Sequence, residues 1–125
     1  MRVDVETGLL SAADDARATR ELAISAREDP TAIDLSSVSA IRIDVPSFGD
    51  GSAFSLAHQL RLLGFKGPIC IKGALLPDQV HMARGAGADT IEPTVEILAR
   101  QNPKAWIAAA ARYRTQYPSL LKRAV

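Results

Sequence analysis

The sequence predicts one small α/β domain over residues 1–125, with a mostly parallel open sheet built from βα units, covered by helices and followed by C-terminal helices. Three observations predict it. Over 40–92, short β-rich runs (Ile41, Ile43, Val45; then Ile69, Cys70, Ile71; then Thr90, Ile91) alternate with stretches of helical spacing. The intervening stretches are long enough for right-handed crossovers between parallel strands. Finally, 125 residues fall short of the roughly 200 that a closed eightfold βα barrel needs.

The elements follow in order. Residues 2–6 alternate polar and apolar, with Val3 and Val5, which suits a short edge strand that Gly8 breaks. Ser11 and Asp14 have capping-box spacing and open a predicted helix over 11–28, rich in Ala, Leu and Arg, that Asp29-Pro30 stops. The run 40–45 ends at Pro46, and 47–52 is dense in turn residues. A helix over 53–63 turns Phe54, Ala57 and Leu60 toward a core. Gly64 is its C′ residue and Phe65 its hydrophobic closing contact. The strand 68–72 ends at Gly73. Pro77 occupies a first helical position with Asp78 in the first turn, and that helix stops at Gly87. A strand at 89–92 precedes a short helix through Gln101. Asn102-Pro103, an N-cap and a proline at N1, launches 104–116.

Composition narrows the function classes. Hydrophobic residues make up 47% and charged residues 23%, which is a globular balance. Lys+Arg 15 against Asp+Glu 14 leaves a net charge of +1, with no broad basic surface for nucleic acid or a membrane face. The basic residues of the last segment, Lys104, Arg112, Arg114, Lys122 and Arg123, read as a solvated helix face. Cys70 is the one cysteine, so neither an intramolecular disulfide nor a multi-cysteine metal site is expected, and the thiol reads as an apolar filler. No stretch approaches the roughly 20 apolar residues that span a bilayer. The first ten residues lack the apolar segment of a secretory leader, so the cytoplasm is expected.

In an open parallel sheet, ligands gather beyond the carboxyl ends of the strands. Those ends are 44–52, 72–78 and 92–94. The candidate ligand or partner residues are Asp50, Gly51, Ser52, Ser55, Lys72, Asp78, Gln79 and Asp89. The turn at 48–52 could present helix N–H groups to a small anion, with Lys72 adding counter-charge. The plainer alternative is that Asp50 or Ser52 caps the helix. Asp78 could act as a general acid or base, but an acid is expected at a helix start on dipole grounds alone. His58 and His81 have no carboxylate at metal-motif spacing, so no metal is expected. Ser55 lacks the small neighbours of a nucleophile elbow. Gly85-Ala86-Gly87 lies at a helix end, where it stops the helix rather than cradling pyrophosphate. Trp106 and Tyr113 share a face of the last helix, as a core contact or the interface of a homodimer.

The run Val45 to Gly51 with Phe54-Ser55, Ala57, Leu60-Arg61, Gly64-Phe65-Lys66-Gly67, Gly73, Asp78-Gln79 and Gly87-Ala88-Asp89 resembles a bacterial domain family of unknown function. Members of that family are described as oxidoreductases and found beside assimilatory sulfite reductase. The resemblance implies a sulfite-reduction accessory or regulatory protein, with sulfite reductase or another protein as partner. It carries over Phe48, Asp50, Gly51, Phe54, Ser55, Ala57, Asp78, Gln79, Gly87 and Asp89. The family's arginines are replaced by Ser52 and Cys70 and, near the third position, by Gly85. The chain has no flavin, nicotinamide or iron–sulfur motif, so no cofactor is expected. Two shorter resemblances compete. Ile69 to Leu75 with Gly87 to Ile91 is similar to one βα step of flavin-dependent 2-hydroxy-acid oxidases. Ile33 to Val38 is similar to sulfate-transporter/anti-sigma-antagonist domains, which would imply a phosphorylated Ser47 or Ser52.

Overall fold

In the computed structural model of the chain, residues 1–12, 21–45 and 51–116 are described, the last four of them by backbone alone. The strands are β1 Arg2–Asp4, β2 Leu10–Ser11, β3 Glu21–Ser25, β4 Ala40–Asp44, β5 Ile69–Gly73 and β6 Thr90–Pro93. The helices are α1 Ser52–Leu62, α2 Val80–Gly85, α3 Val95–Arg100 and α4 Pro103–Gln116. The six strands form one sheet in the order β2-β1-β6-β5-β4-β3. The pairs β3–β4, β4–β5 and β5–β6 are parallel, and β1 is antiparallel to both β2 and β6. This is the mixed α/β architecture with a mostly parallel sheet and C-terminal helices that the sequence predicts.

Consecutive parallel strands lie side by side in chain order. Right-handed crossovers then put every connection on the same face of the sheet. The core shows this: Val3, Ile24, Ile41, Ile43, Ile69, Ile71 and Ile91 join Leu56 and Leu60 of α1, Val80 of α2 and Trp106 of α4 in one cluster. The strand residues between them point the other way, because side chains alternate along a strand. Arg2, Glu21, Arg42, Cys70, Lys72, Thr90 and Glu92 therefore share the opposite face, in register across the sheet.

Helix ends follow the residues that predict them. Gly64 (φ 96°) and Gly87 (φ 97°) both take the left-handed conformation. At α1, the N–H of Gly64 bonds to the Arg61 carbonyl and that of Phe65 to Leu60. At α2, Gly87 bonds to Arg84 and Ala88 to Ala83, so both helices end in Schellman motifs. Thr94 caps α3 through Ile97 N–H, and Asn102 Oδ1 accepts from Lys104 N–H at the start of α4.

Two expectations are corrected. The predicted helix over 11–28 is not one: Ser11 belongs to β2 and Glu21–Ser25 is a strand, while residues 13–20 lie outside the described residues. Leu22 and Ile24 alternate with Glu21, Ala23 and Ser25, and pairing with β4 overrides the helix propensity of the Ala, Leu and Arg content. Secondly, β1 is not an edge, because β2 takes that place and β6 pairs on its other side. Of the two roles open to Trp106, core contact or interface, it takes the first: it is 0% exposed and belongs to the core. The side chains of Tyr113 and Arg114, and all of Lys122 and Arg123, lie outside the described residues. No helix among the described residues is long and apolar enough to cross a membrane.

Candidate functional site

At the carboxyl ends of β4 and β5, the candidates divide by what holds them. Asp50 lies outside the described residues, as do Ser47 and Phe48. Gly51 is the N-cap of α1 and Ser52 its first residue; the N-cap residue itself, a glycine, makes no side-chain capping hydrogen bond, and there is no acid in the first turn. Ser55 is exposed on the first turn, while Ala53, Leu56, Ala57 and Leu60 face the core.

Lys72 sits near the end of β5 on the face away from the helices, 47% exposed, with Nζ 3.5 Å from Glu92 Oε2. It belongs to an ion-pair network that crosses this face. Arg2 makes a two-pronged contact with Glu21, both bonds at 2.8 Å, and reaches Glu92 at 3.0 Å. Arg42 Nε donates to Asp44 Oδ1 at 2.8 Å. The hydrogen bond to Glu21 holds Arg2 firmly protonated, and Asp44 does the same for Arg42. Burial pushes the Glu92 carboxyl up, but its bond to Arg2 and the nearby Lys72 and Arg2 charges outweigh that and leave it below the usual carboxylate value. Under this network, burial pushes the Cys70 thiol up to about 11, so it is a protonated filler rather than a nucleophile at neutral pH.

Asp78 and Gln79 are neighbours with different employment. The Gln79 carboxamide oxygen accepts from Leu76 N–H at 2.8 Å, tying down the 3-10 turn Pro77–Gln79 that leads into α2. Asp78 is exposed and lines a depression with Leu76, Pro77, Gln101, Ala105, Ala108 and Arg112.

Asp89 stands apart from the other candidates, at the amino-terminal ends of β5 and β6. Its Oδ2 accepts from Ile69 N–H and from Arg61 Nη2, both at 2.9 Å. Arg61 also donates to the Gly87 carbonyl at 2.8 and 3.0 Å, and to the Phe65 and Gly67 carbonyls at 2.9 and 2.7 Å. Its guanidinium lies 5.9 Å from the centre of the Phe65 ring. One side chain thereby closes the loops that leave α1 and α2. Asp89 and Gly87 are parts of this clamp.

Sequence reasoning placed Arg61 only within a pattern and missed Arg2, Glu21, Arg42 and Glu92. The signal for the latter set was the charged residue alternating with a core residue in Arg2-Val3, Ile41-Arg42-Ile43 and Ile91-Glu92. Among the described residues, no group of three or more His, Cys, Asp or Glu side chains is placed to hold a metal ion. His58 and His81 are both exposed.

Compared with known proteins, residues 21–124 match a family model described as a bacterial protein of unknown function (DUF934). No curated protein and no solved structure matches the chain.

Proposed function

This chain belongs to that bacterial family of unknown function, and from that premise we propose that it is an accessory protein of sulfite reduction, working by contact with a protein partner. One observation carries the reading. Several residues that the chain shares with the family pattern are occupied in holding the scaffold: Arg61, Gly87 and Asp89 in the clamp, Gln79 in the turn before α2. A pattern that specifies a scaffold is what a shape-presenting partner protein requires. Of the shared residues, Ser55 and Asp78 are exposed; with Lys72, a candidate outside the family pattern, they lie toward the carboxyl ends of the parallel strands, where α/β sheets commonly meet other molecules. The link to sulfite reduction rests on the resemblance that runs from Phe48 to Asp89.

The test has two arms. The full chain should co-purify with the sulfite reductase subunits, and a deletion strain should grow poorly on sulfate but normally on cysteine. Equal growth on both, with no co-purification, would overturn the reading.

A further inference from the structure

The depression beside Asp78 exists because of how α4 distributes its side chains. Trp106, Ala109 and Ala110 go into the core, whereas Ala105 and Ala108 form a stripe of small residues beside the Pro77–Gln79 turn. The depression is shallow and open to solvent, and measures about 570 Å3, within the roughly 300–1,000 Å3 of small-molecule sites. Leu76, Pro77, Ala105 and Ala108 give it an apolar lining, and Asp78 and Arg112 bring opposite charges to it. Among the described residues, these two form no ion pair with each other or with any third group. The helix dipole accounts for an acid at Asp78. A cation toward the carboxyl end of α4 suits the dipole as well, but neither preference requires the two charges to share one depression, as Asp78 and Arg112 do.

We propose that this depression binds a small zwitterion, an α-amino acid with an apolar side chain. The ammonium group meets the Asp78 carboxylate, the ligand carboxylate takes the Arg112 guanidinium, and the side chain lies on Leu76, Pro77, Ala105 and Ala108. Guanidinium is the side-chain group best matched to a carboxylate, which it can grip with two parallel bonds. A nucleotide or inorganic anion would satisfy Arg112 but be repelled by Asp78. An internal peptide segment has no free ammonium and carboxylate on one carbon. The site is separate from the Ser55 and Lys72 surface and does not depend on the accessory reading.

The full chain, labelled with nitrogen-15, is titrated with L-leucine, L-leucine methyl ester and N-acetyl-L-leucine while amide shifts are followed. L-leucine should move the amides of Leu76, Asp78, Gln101, Ala105 and Ala108. The ester, which lacks the carboxylate, and the acetylated form, which lacks the ammonium, should each bind about tenfold more weakly or worse. Asp78→Asn and Arg112→Gln should weaken L-leucine by a similar factor. If a variant loses its fold, the blocked ligands give the same information on the unaltered chain. No shifts at these amides with millimolar L-leucine would overturn the proposal. Equal shifts from all three ligands would overturn it too, since the depression would then be selecting apolar bulk and not paired charge.

Discussion

The two ends of the parallel strands are built on different terms. At the amino-terminal end of β5 and β6, Arg61 binds three carbonyls and Asp89, and Asp89 in turn holds Ile69 N–H. At the carboxyl end, Ser55, Lys72 and Asp78 are exposed, and the contact of Lys72 with Glu92 spans 3.5 Å. One end closes the fold and the other presents it. Residues of a single family pattern fall at both, so membership in the pattern does not by itself mark a functional residue.

The comparison predicts its largest effect at Arg61. Arg61→Ala removes the shared donor of the Gly87, Phe65 and Gly67 carbonyls and leaves Asp89 without its counter-charge. Water can reach part of this end, so the cost is a fraction of the sum of single bonds, about 2–4 kcal/mol. A urea titration should show a lower midpoint with an unchanged slope. A cost below about 1 kcal/mol would mean that the loops close without the clamp.

Gly87→Ala should come next. A Cβ at φ 97° is strained, and it would stand 2.7 Å from Arg61 Cγ. The left-handed conformation alone costs about 1–2 kcal/mol for an L side chain. The clash with Arg61 adds to that, and this part is removable. In an Arg61→Ala background the glycine substitution should therefore cost less than in the natural chain, a coupling that a double-mutant cycle reads directly. Strict additivity would show that Gly87 is required by its backbone conformation alone.

The legibility of the sequence divides along similar lines. The elements from β4 to α4 could be read because their signals are local: period-2 runs, proline at N1, glycine at C′, Thr94 and Asn102 at the caps. The strand β3 could not. Its Ala, Leu and Ile content suits a helix as well, and what makes it extended is pairing with β4, whose partner Ala40 is 19 residues from Glu21. The clamp was hidden for the same reason. Arg61 and Asp89 are 28 residues apart, and nothing in either local window says that they meet. Asp89 therefore read as a ligand candidate when its contacts are those of a loop support. Gln79 read as a candidate ligand or partner residue, and its carboxamide caps the turn, while its neighbour Asp78 lines the depression.

Acid should weaken the presenting end through Glu92. Its folded value is depressed, so its contribution is present above the ordinary carboxylate value of 4.5 and is lost as pH falls through the folded value. Stability should decline from about pH 5 downward, and Glu92→Gln should make that decline shallower while lowering stability at neutral pH. A decline equally steep in the variant would show that it does not come from Glu92.

The smallest stability effects, and the most informative for function, belong to Ser55 and Lys72. Ser55→Arg places a good helix former at an exposed position, and Lys72→Gln gives up an ion pair whose lysine is 47% exposed. Each should change stability by no more than about 0.5 kcal/mol. If this end is where the accessory protein meets its partner, both variants should fold normally and yet co-purify poorly with sulfite reductase subunits. Arg61→Ala should lose the partner only to the extent that it unfolds. A Lys72→Gln variant that unfolds as readily as Arg61→Ala would abolish the distinction between the two ends, because the lysine would then be a support. Normal folding together with undiminished co-purification would leave the distinction standing but move the contact surface away from Ser55 and Lys72.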